Sequence, residues 1–244
     1  MIAIGDIHGC RTSLEQLLTR LVYNADDTLV FIGDYVDRGP DTPGTIELLI
    51  KLSRSHPNCV FLRGNHDSLL LDFTSGNPEL FNTGYLSPGI GGQTTASQYG
   101  MTDEELADCL YNDFRPSPAL LNRCTKLLPP AHREFLKKTR FMYVTDEYLF
   151  VHAGIDPGKS LAEQNPYDII WIRDDFINVK HSLPQTIIYG HTPTVRFGKP
   201  EPRWDLKNRK IGIDTGAVWG GLLTALQLPE MKVTSVPGYS GWKR

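Results

Sequence analysis

Apolar and polar positions along the 244-residue chain follow one repeated order: a short apolar run, a polar loop bounded by glycine, then apolar residues at helical spacing. The order begins at the first residue. Met1 to Ile4 read as a very short buried strand and Gly5-Asp6-Ile7-His8-Gly9 as a polar loop, after which Leu14, Leu17, Leu18 and Leu21 recur at the spacing of one helix face. Thr12 and Glu15 stand in the pattern of a capping box at the start of that helix. The same order returns at Thr28 to Ile32, followed by Gly33, Asp34 and a helix from near Pro43. It returns again at Cys59 to Leu62, followed by Gly64, Asn65, His66 and Asp67 and an apolar helical start. Three such units predict βαβ crossovers building a parallel sheet, whose polar loops share the rim at the carboxyl ends of the strands.

The second half keeps the rule and changes the architecture. Apolar runs end at His152, His191 and Asp214, each with glycine beside or near the polar residue. From Ile211 the order is strand, Gly216–Gly221 turn, strand Leu222–Leu228, Pro229-Glu230 turn, strand Met231–Val236, which predicts an antiparallel meander and hence a second sheet packed on the first. Between about residues 74 and 140 the period lapses, with two helices expected at Thr102–Phe114 and Pro129–Thr139, starting at Thr102 and Pro130. An insertion of this length reads either as a lid or substrate-facing cap or as a structural excursion. The Pro- and charge-rich stretch from Phe197 to Lys210 reads as a surface loop. Residues 1–244 are expected to form a single domain carrying the 74–140 insertion or cap.

Composition narrows the partners. Hydrophobic residues make up 40% of the chain, ordinary for a packed core, and the formal net charge of -3 supplies no global basic field. Nucleic acid and anionic membranes are therefore not expected as partners, and an anionic substrate must be met by local charge. With no leader pattern and no apolar run of membrane-spanning length, a cytoplasmic location is expected. Cys10, Cys59, Cys109 and Cys124 are scattered without a C-x-x-C pair and read as reduced thiols.

The candidate chemistry lies at the strand ends: Asp6, His8, Asp34, Asp37, Arg38, Asn65, His66, His152, His191 and Asp214. So many polar groups after separate buried strands cost free energy unless they pair or bind metal. Carboxylates, imidazoles and one amide oxygen, without thiolate, suit first-row ions such as Mn, Fe or Zn better than Ca or a structural Zn site. Six such ligands hold two ions that share a bridging carboxylate. Two ions about 3.5 to 4 Å apart generate a bridging hydroxide at neutral pH and clamp the attacking and leaving oxygens of a phosphoryl transfer. Asp6 and His8, two positions apart, are expected to alternate past the strand end toward a common ion, with Gly5 and Gly9 leaving room for it.

The ordered motifs GDIHG, GDYVDRG, GNHD, HAG and GHT resemble the signatures of the phosphoprotein phosphatase family of metallophosphoesterases, in particular its bacterial and phage-like serine/threonine branch. The resemblance implies an α/β calcineurin-like sandwich of two mixed β-sheets flanked by helices, with a mostly helical insertion. It implies a metal-dependent phosphomonoesterase, foremost a serine/threonine phosphoprotein phosphatase acting on a phosphoprotein or phosphopeptide, and also on small phosphate esters, by direct attack of a metal-bridging hydroxide. Carried onto this chain, Asp6, His8 and His191 would hold one ion, Asp34 would bridge, and Asn65 and His152 would complete the second. Two divalent ions are implied, manganese first, with iron or zinc as alternatives. His66 would be the general acid, Asp37 would orient it, and Arg38 and Arg173 would bind phosphate oxygens; a surface arginine paired with Asp174 or Asp175 is the plainer reading of Arg173. Asp214 is expected to support the site by hydrogen bonding, and His56, His132 and His181 fit no motif and are expected at the surface. Asp67 stands where many of these phosphatases have Glu, a form shared with related diadenosine tetraphosphate hydrolases, so dinucleoside polyphosphate hydrolysis is the alternative, while the intact VDRG favours the phosphoprotein branch. A non-catalytic scaffold is a third reading, opposed by the retention of every ligand position.

Overall fold

The computed structural model describes residues 1–80, 84–111 and 117–242. Strand β1 (Ile2–Ile4) leads through the polar loop to helix α1 (Arg11–Arg20), β2 (Leu29–Phe31) to α2 (Thr42–Ser55), and β3 (Cys59–Phe61) to α3 (Asn65–Phe73). The three strands pair in parallel, Ile2 opposite Leu29 and Leu29 opposite Cys59, as the repeated order predicts. Helix α2 is capped by Asp41, whose carboxylate accepts from the Gly44 N–H at 2.8 Å. The capping box expected in α1 does not form. That helix begins at Arg11, so Thr12 lies inside its first turn, and Glu15 instead accepts from Arg11 Nε at 2.9 Å.

The insertion carries α4 (Gly92–Gln98), α5 (Asp103–Tyr111), α6 (Pro118–Thr125) and α7 (Pro130–Lys137). Residues 112–114 of the expected Thr102–Phe114 helix lie outside the described residues. Leu106, Leu120, Cys124 and Leu136 join one apolar cluster with Leu14 and Leu17 of α1 and Ile46 and Leu49 of α2. The helices of the insertion thus extend the packing on the outer face of the first sheet. His132 ties α7 to α2, with Nε2 2.8 Å from Glu47 Oε1 and Nδ1 2.8 Å from the Tyr99 hydroxyl.

Next come β4 (Met142–Val144), β5 (Tyr148–Val151), the short helices α8 (Pro166–Trp171) and α9 (Asp174–Ile177), β6 (Thr186–Tyr189), β7 (Arg203–Asp205) and β8 (Lys210–Gly212). Here β5, β6 and β8 are parallel neighbours, with β4 and β7 antiparallel at the edges. The chain closes with β9 (Leu222–Gln227) and β10 (Lys232–Pro237). Among the described residues the two five-stranded sheets run β10-β9-β1-β2-β3 and β4-β5-β6-β8-β7. Ala3, Val30 and Ile32 of one meet Phe150, Ile188 and Ile211 of the other in the layer between them. This is the α/β sandwich of two mixed sheets flanked by helices, and it aims the carboxyl ends of two parallel triplets at one place.

Three expectations are corrected. The meander is split: β8 stays in the second sheet while β9 crosses to pair antiparallel with β1, because Gly216 and Gly220 (φ 79° and 78°) turn the chain across the gap between sheets. The supposed surface loop after Phe197 contains β7, since Trp204 pairs with Ile211. His56, His132 and His181 are buried, at 7%, 2% and 2% exposure, each having met a partner distant in sequence. For His56 that partner is the Asp27 carbonyl at 2.7 Å, and for His181 the Arg209 carbonyl at 3.4 Å. No described helix is long and apolar enough to cross a membrane, and all four cysteines are free thiols.

Candidate active site

Six loops meet where the two triplets end, tied together by backbone bonds. The His8 N–H donates to the Asp34 carbonyl at 2.8 Å, and the Gly190 N–H to that of His152 at 2.7 Å. His8, Asp34, Asp37, Arg38 and His191 all adopt left-handed backbone angles, φ between 48° and 73°. Such angles in non-glycine residues cost energy and persist where surrounding structure enforces them, commonly at functional sites. The left-handed turn at His8, not strand alternation, turns its imidazole toward Asp34. Gly5 and Gly9 serve backbone packing instead of leaving room for an ion: a Cβ at Gly5 would strike the Ile213 carbonyl, and one at Gly9 would press on Gly39 at 3.3 Å. Glycines that do make room for site carboxylates are Gly64 and Gly190, where a Cβ would collide with Asp34 and Asp6 respectively.

Asp34 lies at the centre. Its Oδ2 is 3.4 Å from His8 Nε2, 3.5 Å from His152 Nε2 and 4.0 Å from His66 Nε2, while its Oδ1 accepts from the His66 N–H at 3.0 Å. The ligating atoms of His8, Asp34 and His66 lie within 4.8 Å of one another, as do those of Asp34, His152 and His191. Asp34 is common to both groups, as a bridging ligand must be. Asp6 accepts from the His191 N–H through Oδ2 at 3.0 Å, whereas its Oδ1 and His191 Nε2 are buried without a partner. The His152 Nδ1 hydrogen is assigned by its Ile32 carbonyl partner at 3.0 Å, which leaves the Nε2 lone pair facing Asn65 Oδ1 at 3.1 Å and Asp34 Oδ2. Lone pairs converging in a buried site, with further acceptors orphaned beside them, fit cations between them.

The electrostatics agree. Burial pushes the His8 and His191 imidazoles well below their ordinary values and lowers His152, so all three favour the neutral, ligating form. Asp34 is held below the usual carboxylate range: burial alone would raise it, but His152, His66, His8 and His191 surround it. Burial, then the charges of Asp214 and Asp34, push Asp6 well upward. A bound cation would relieve that penalty.

His66 and Asp37 form a separate pair, His66 Nδ1 lying 2.8 Å from Asp37 Oδ2. The other carboxylate oxygen accepts from the Tyr85 hydroxyl at 2.7 Å, and the Asp37 N–H donates to Thr95 Oγ1 at 3.0 Å. Both partners come from the insertion, which therefore reaches under the site through its Tyr85–Thr95 stretch. Asp67 accepts from the Gly64, Asp34 and Tyr35 N–H groups at 2.8, 2.9 and 3.0 Å, locking the β2 and β3 loops together. Asp214 supports the loop after β8, accepting from the Gly216 N–H at 3.0 Å.

Arg38 and Arg173 face a cavity of about 570 Å³ that also touches His8, His66, His191 and Asp214. Arg38 reaches His8 Nε2 at 3.0 Å and stacks over the rings of Trp219 and Trp242, 5.1 and 5.3 Å from their centroids. Arg173 donates to the His191 carbonyl at 2.9 Å and Thr192 Oγ1 at 3.2 Å, and among the described residues it forms no ion pair with Asp174 or Asp175. The structure thus brings together the ten strand-end candidates and Arg173. Sequence reasoning missed Tyr85, Thr95, Arg196 and Trp219. Arg196 and Trp219 complete the cavity wall, Arg196 four residues past the GHT motif and Trp219 within the Gly216–Gly221 turn, whereas Tyr85 carries no local signal.

The calcineurin-like phosphoesterase profile matches residues 1–220, and the chain belongs to that family. It is therefore a phosphoesterase hydrolase of a family that works with a dinuclear centre of divalent metal ions. Among its relatives, an asymmetrical bis(5'-nucleosyl)-tetraphosphatase PrpE from Bacillus mycoides (strain KBAB4) is 30% identical, with 96% of this chain and 92% of the relative aligned. The protein of the same name from Anoxybacillus flavithermus (strain DSM 21510 / WK1) is 32% identical over the same shares. A crystal structure provisionally assigned as a diadenosine tetraphosphatase superposes with a TM-score of 0.68 at 25% identity, covering 98% of this chain and 94% of its own. These matches overturn the expectation of a serine/threonine phosphoprotein phosphatase with a phosphoprotein substrate. The intact VDRG, read as favouring the phosphoprotein branch, therefore does not separate the two in this chain.

Proposed function

We propose that this protein is an asymmetrical dinucleoside tetraphosphatase, hydrolysing a bis(5'-nucleosyl) tetraphosphate to a nucleoside monophosphate and a nucleoside triphosphate. The carrying observation is the cavity: beside the ligand cluster it gathers the guanidiniums of Arg38, Arg173 and Arg196 against a Trp219 wall, a setting for a polyphosphate joined to a flat base. The names of the relatives aligned over nearly the whole chain support the same substrate. We read residues 1–244 as one catalytic unit in which the 74–140 insertion buttresses Asp37.

Asp6, His8, Asp34, Asn65, His152 and His191 would hold two divalent ions, manganese being the first to test. Ions bound there supply Lewis-acid polarisation of a phosphoryl oxygen and activation of water at neutral pH. Arg38 and Arg173 hold the oxygens of the attacked phosphate. Water adds to phosphorus, the P–O–P bond breaks, and His66, positioned by Asp37, gives a proton to the departing phosphate oxygen. That oxygen leaves far more readily than an alkoxide, so the substrate leans less on His66 than a serine ester would. His66 Nε2 also lies in one of the two ligand groups, so metal content of a His66 variant separates acid from ligand.

The test is product analysis by ion-exchange chromatography after incubating metal-reconstituted protein with diadenosine tetraphosphate. AMP and ATP in equal amounts support the reading. ADP as the single product would overturn the asymmetrical cut, and no turnover by protein that hydrolyses p-nitrophenyl phosphate would overturn the substrate.

A further inference from the structure

Arg196 lies in the 3-10 turn Thr194–Phe197, directly after the His191 loop. The turn is fastened to the site by the Thr194 N–H, which donates to the Asp214 carbonyl at 2.8 Å, and it ends at Gly198 in a left-handed conformation with φ 104°. Pro193, Val195 and Arg196 consequently form one wall of the catalytic cavity. Arg196 is exposed, and among the described residues its guanidinium has neither an ion-pair partner nor a hydrogen-bond acceptor. The charge it does affect is of like sign: after burial, Arg196 is the largest influence lowering the Arg173 guanidinium's affinity for its proton.

The Asp34, Asp214 and Asp6 carboxylates offset the charges of Arg38 and Arg173, whereas Arg196 faces the like charge of Arg173 unless an anion joins them. Arg38 and Arg173, seated beside the ligand cluster, match a single phosphate. They leave a third with no structural task and no role on a monoester. A tetraphosphate bridge carries negative charge on every phosphate, and the phosphates beyond the attacked one must extend along the cavity wall. We propose that Arg196 binds this outlying part of the polyphosphate chain and sets a preference for polyphosphate substrates over simple phosphomonoesters, an inference that rests on the tetraphosphatase reading above.

The experiment compares wild type, Arg196→Ala and Arg196→Lys in the metal-reconstituted enzyme. Inorganic tripolyphosphate and orthophosphate are titrated as competitors of p-nitrophenyl phosphate hydrolysis, and tripolyphosphate binding is measured directly by calorimetry. Loss of one charge-assisted phosphate contact corresponds to about tenfold to a hundredfold in affinity. Arg196→Ala should weaken tripolyphosphate by that factor, weaken orthophosphate by at least fivefold less, and raise KM for diadenosine tetraphosphate in parallel with tripolyphosphate. Arg196→Lys should recover part of the loss, because the charge remains while the planar fork is gone. An exposed residue predicts an unaltered melting temperature, which excludes misfolding as the cause. Equal losses for orthophosphate and tripolyphosphate, or no loss for either, would overturn the proposal. A wild-type enzyme that leaves diadenosine tetraphosphate uncut refutes the substrate reading, while the competition between the two inorganic anions still decides the role of Arg196.

Discussion

Replacing Tyr85 by Phe removes one hydroxyl from beneath the site and keeps the ring that packs 5.0 Å from Phe73. The lost bond runs at 2.7 Å to Asp37 Oδ1, and Asp37 has no exposed surface, so water has no direct route to replace it. The other carboxylate oxygen stays engaged by His66 Nδ1 at 2.8 Å. A hydrogen bond to a buried carboxylate contributes about 1.5 to 3 kcal/mol, and here its removal leaves an acceptor orphaned. Tyr85→Phe should therefore lower the unfolding free energy by that amount in urea titrations. For a chain of this size each kcal/mol corresponds to about 2 to 4 °C in melting temperature, giving a drop of roughly 3 to 12 °C. If Asp37 orients His66 as proposed, turnover should fall further on an alkyl phosphate, whose leaving group needs a proton, than on p-nitrophenyl phosphate. An unfolding free energy within about 0.5 kcal/mol of wild type, the range of indifferent surface changes, with no leaving-group difference, would refute the reasoning.

Asp34→Asn, at the position common to both ligand groups, should lower metal content measured by mass spectrometry and nearly abolish turnover, since bridging needs two charged oxygens. In His66→Asn, metal content should stay at the wild-type level while the rate on an alkyl phosphate falls by about 10² to 10⁴, with a smaller loss on diadenosine tetraphosphate. Lys210 is 1% exposed and its ammonium donates to the Phe176, Ile177 and Val179 carbonyls at 2.6, 3.2 and 2.6 Å. Lys210→Met should therefore cost about 2 to 4 kcal/mol in denaturant unfolding, because it orphans the carbonyl end of α9. Burial, joined by the Lys210 and Arg209 charges, holds the His181 imidazole below its ordinary value, outweighing the hydrogen bond to the Arg209 carbonyl. The unfolded chain then binds that proton more readily, so this contribution to stability is present above about pH 6.5 and lost as pH falls through that value toward the lower folded one. His181→Asn should flatten that part of the stability profile relative to wild type.

Much of the fold was legible along the chain because it rests on short-range physics. The strand, glycine loop, helix order at Asp6, Asp34 and Asn65 could be read from periodicity alone, and so could their shared rim, since parallel crossovers leave their loops at one end. The clustering of the polar strand ends could be read because buried carboxylates and imidazoles without partners cost free energy unless they gather or bind metal. The choice between a phosphoprotein and a dinucleoside polyphosphate could not be read from the motifs, because the roles that the resemblance implies for Asp34, Asn65, His66 and Arg38 are the same on either. What separated them was the full-length likeness to the tetraphosphatases, and the cavity that Arg196 and Trp219 both line is composed of residues 23 apart in the chain.

Tertiary structure alone decided which strands became neighbours and which polar side chains were buried. The pattern of β8, β9 and β10 marks three strands in a row, but a period of two reports which face is apolar and not which edge is free. The open edge of β1 captured β9 and split the meander. Likewise His132 looks like a surface residue until α7 docks on α2 and brings Glu47 to it from 85 residues away. Tyr85 lies in a stretch of glycine, serine and proline with no period, and its place under Asp37 follows from the path of the backbone around it. Local sequence encodes propensity and polarity over a few residues. Contacts closed over long loops depend on shapes that exist only once the core has packed.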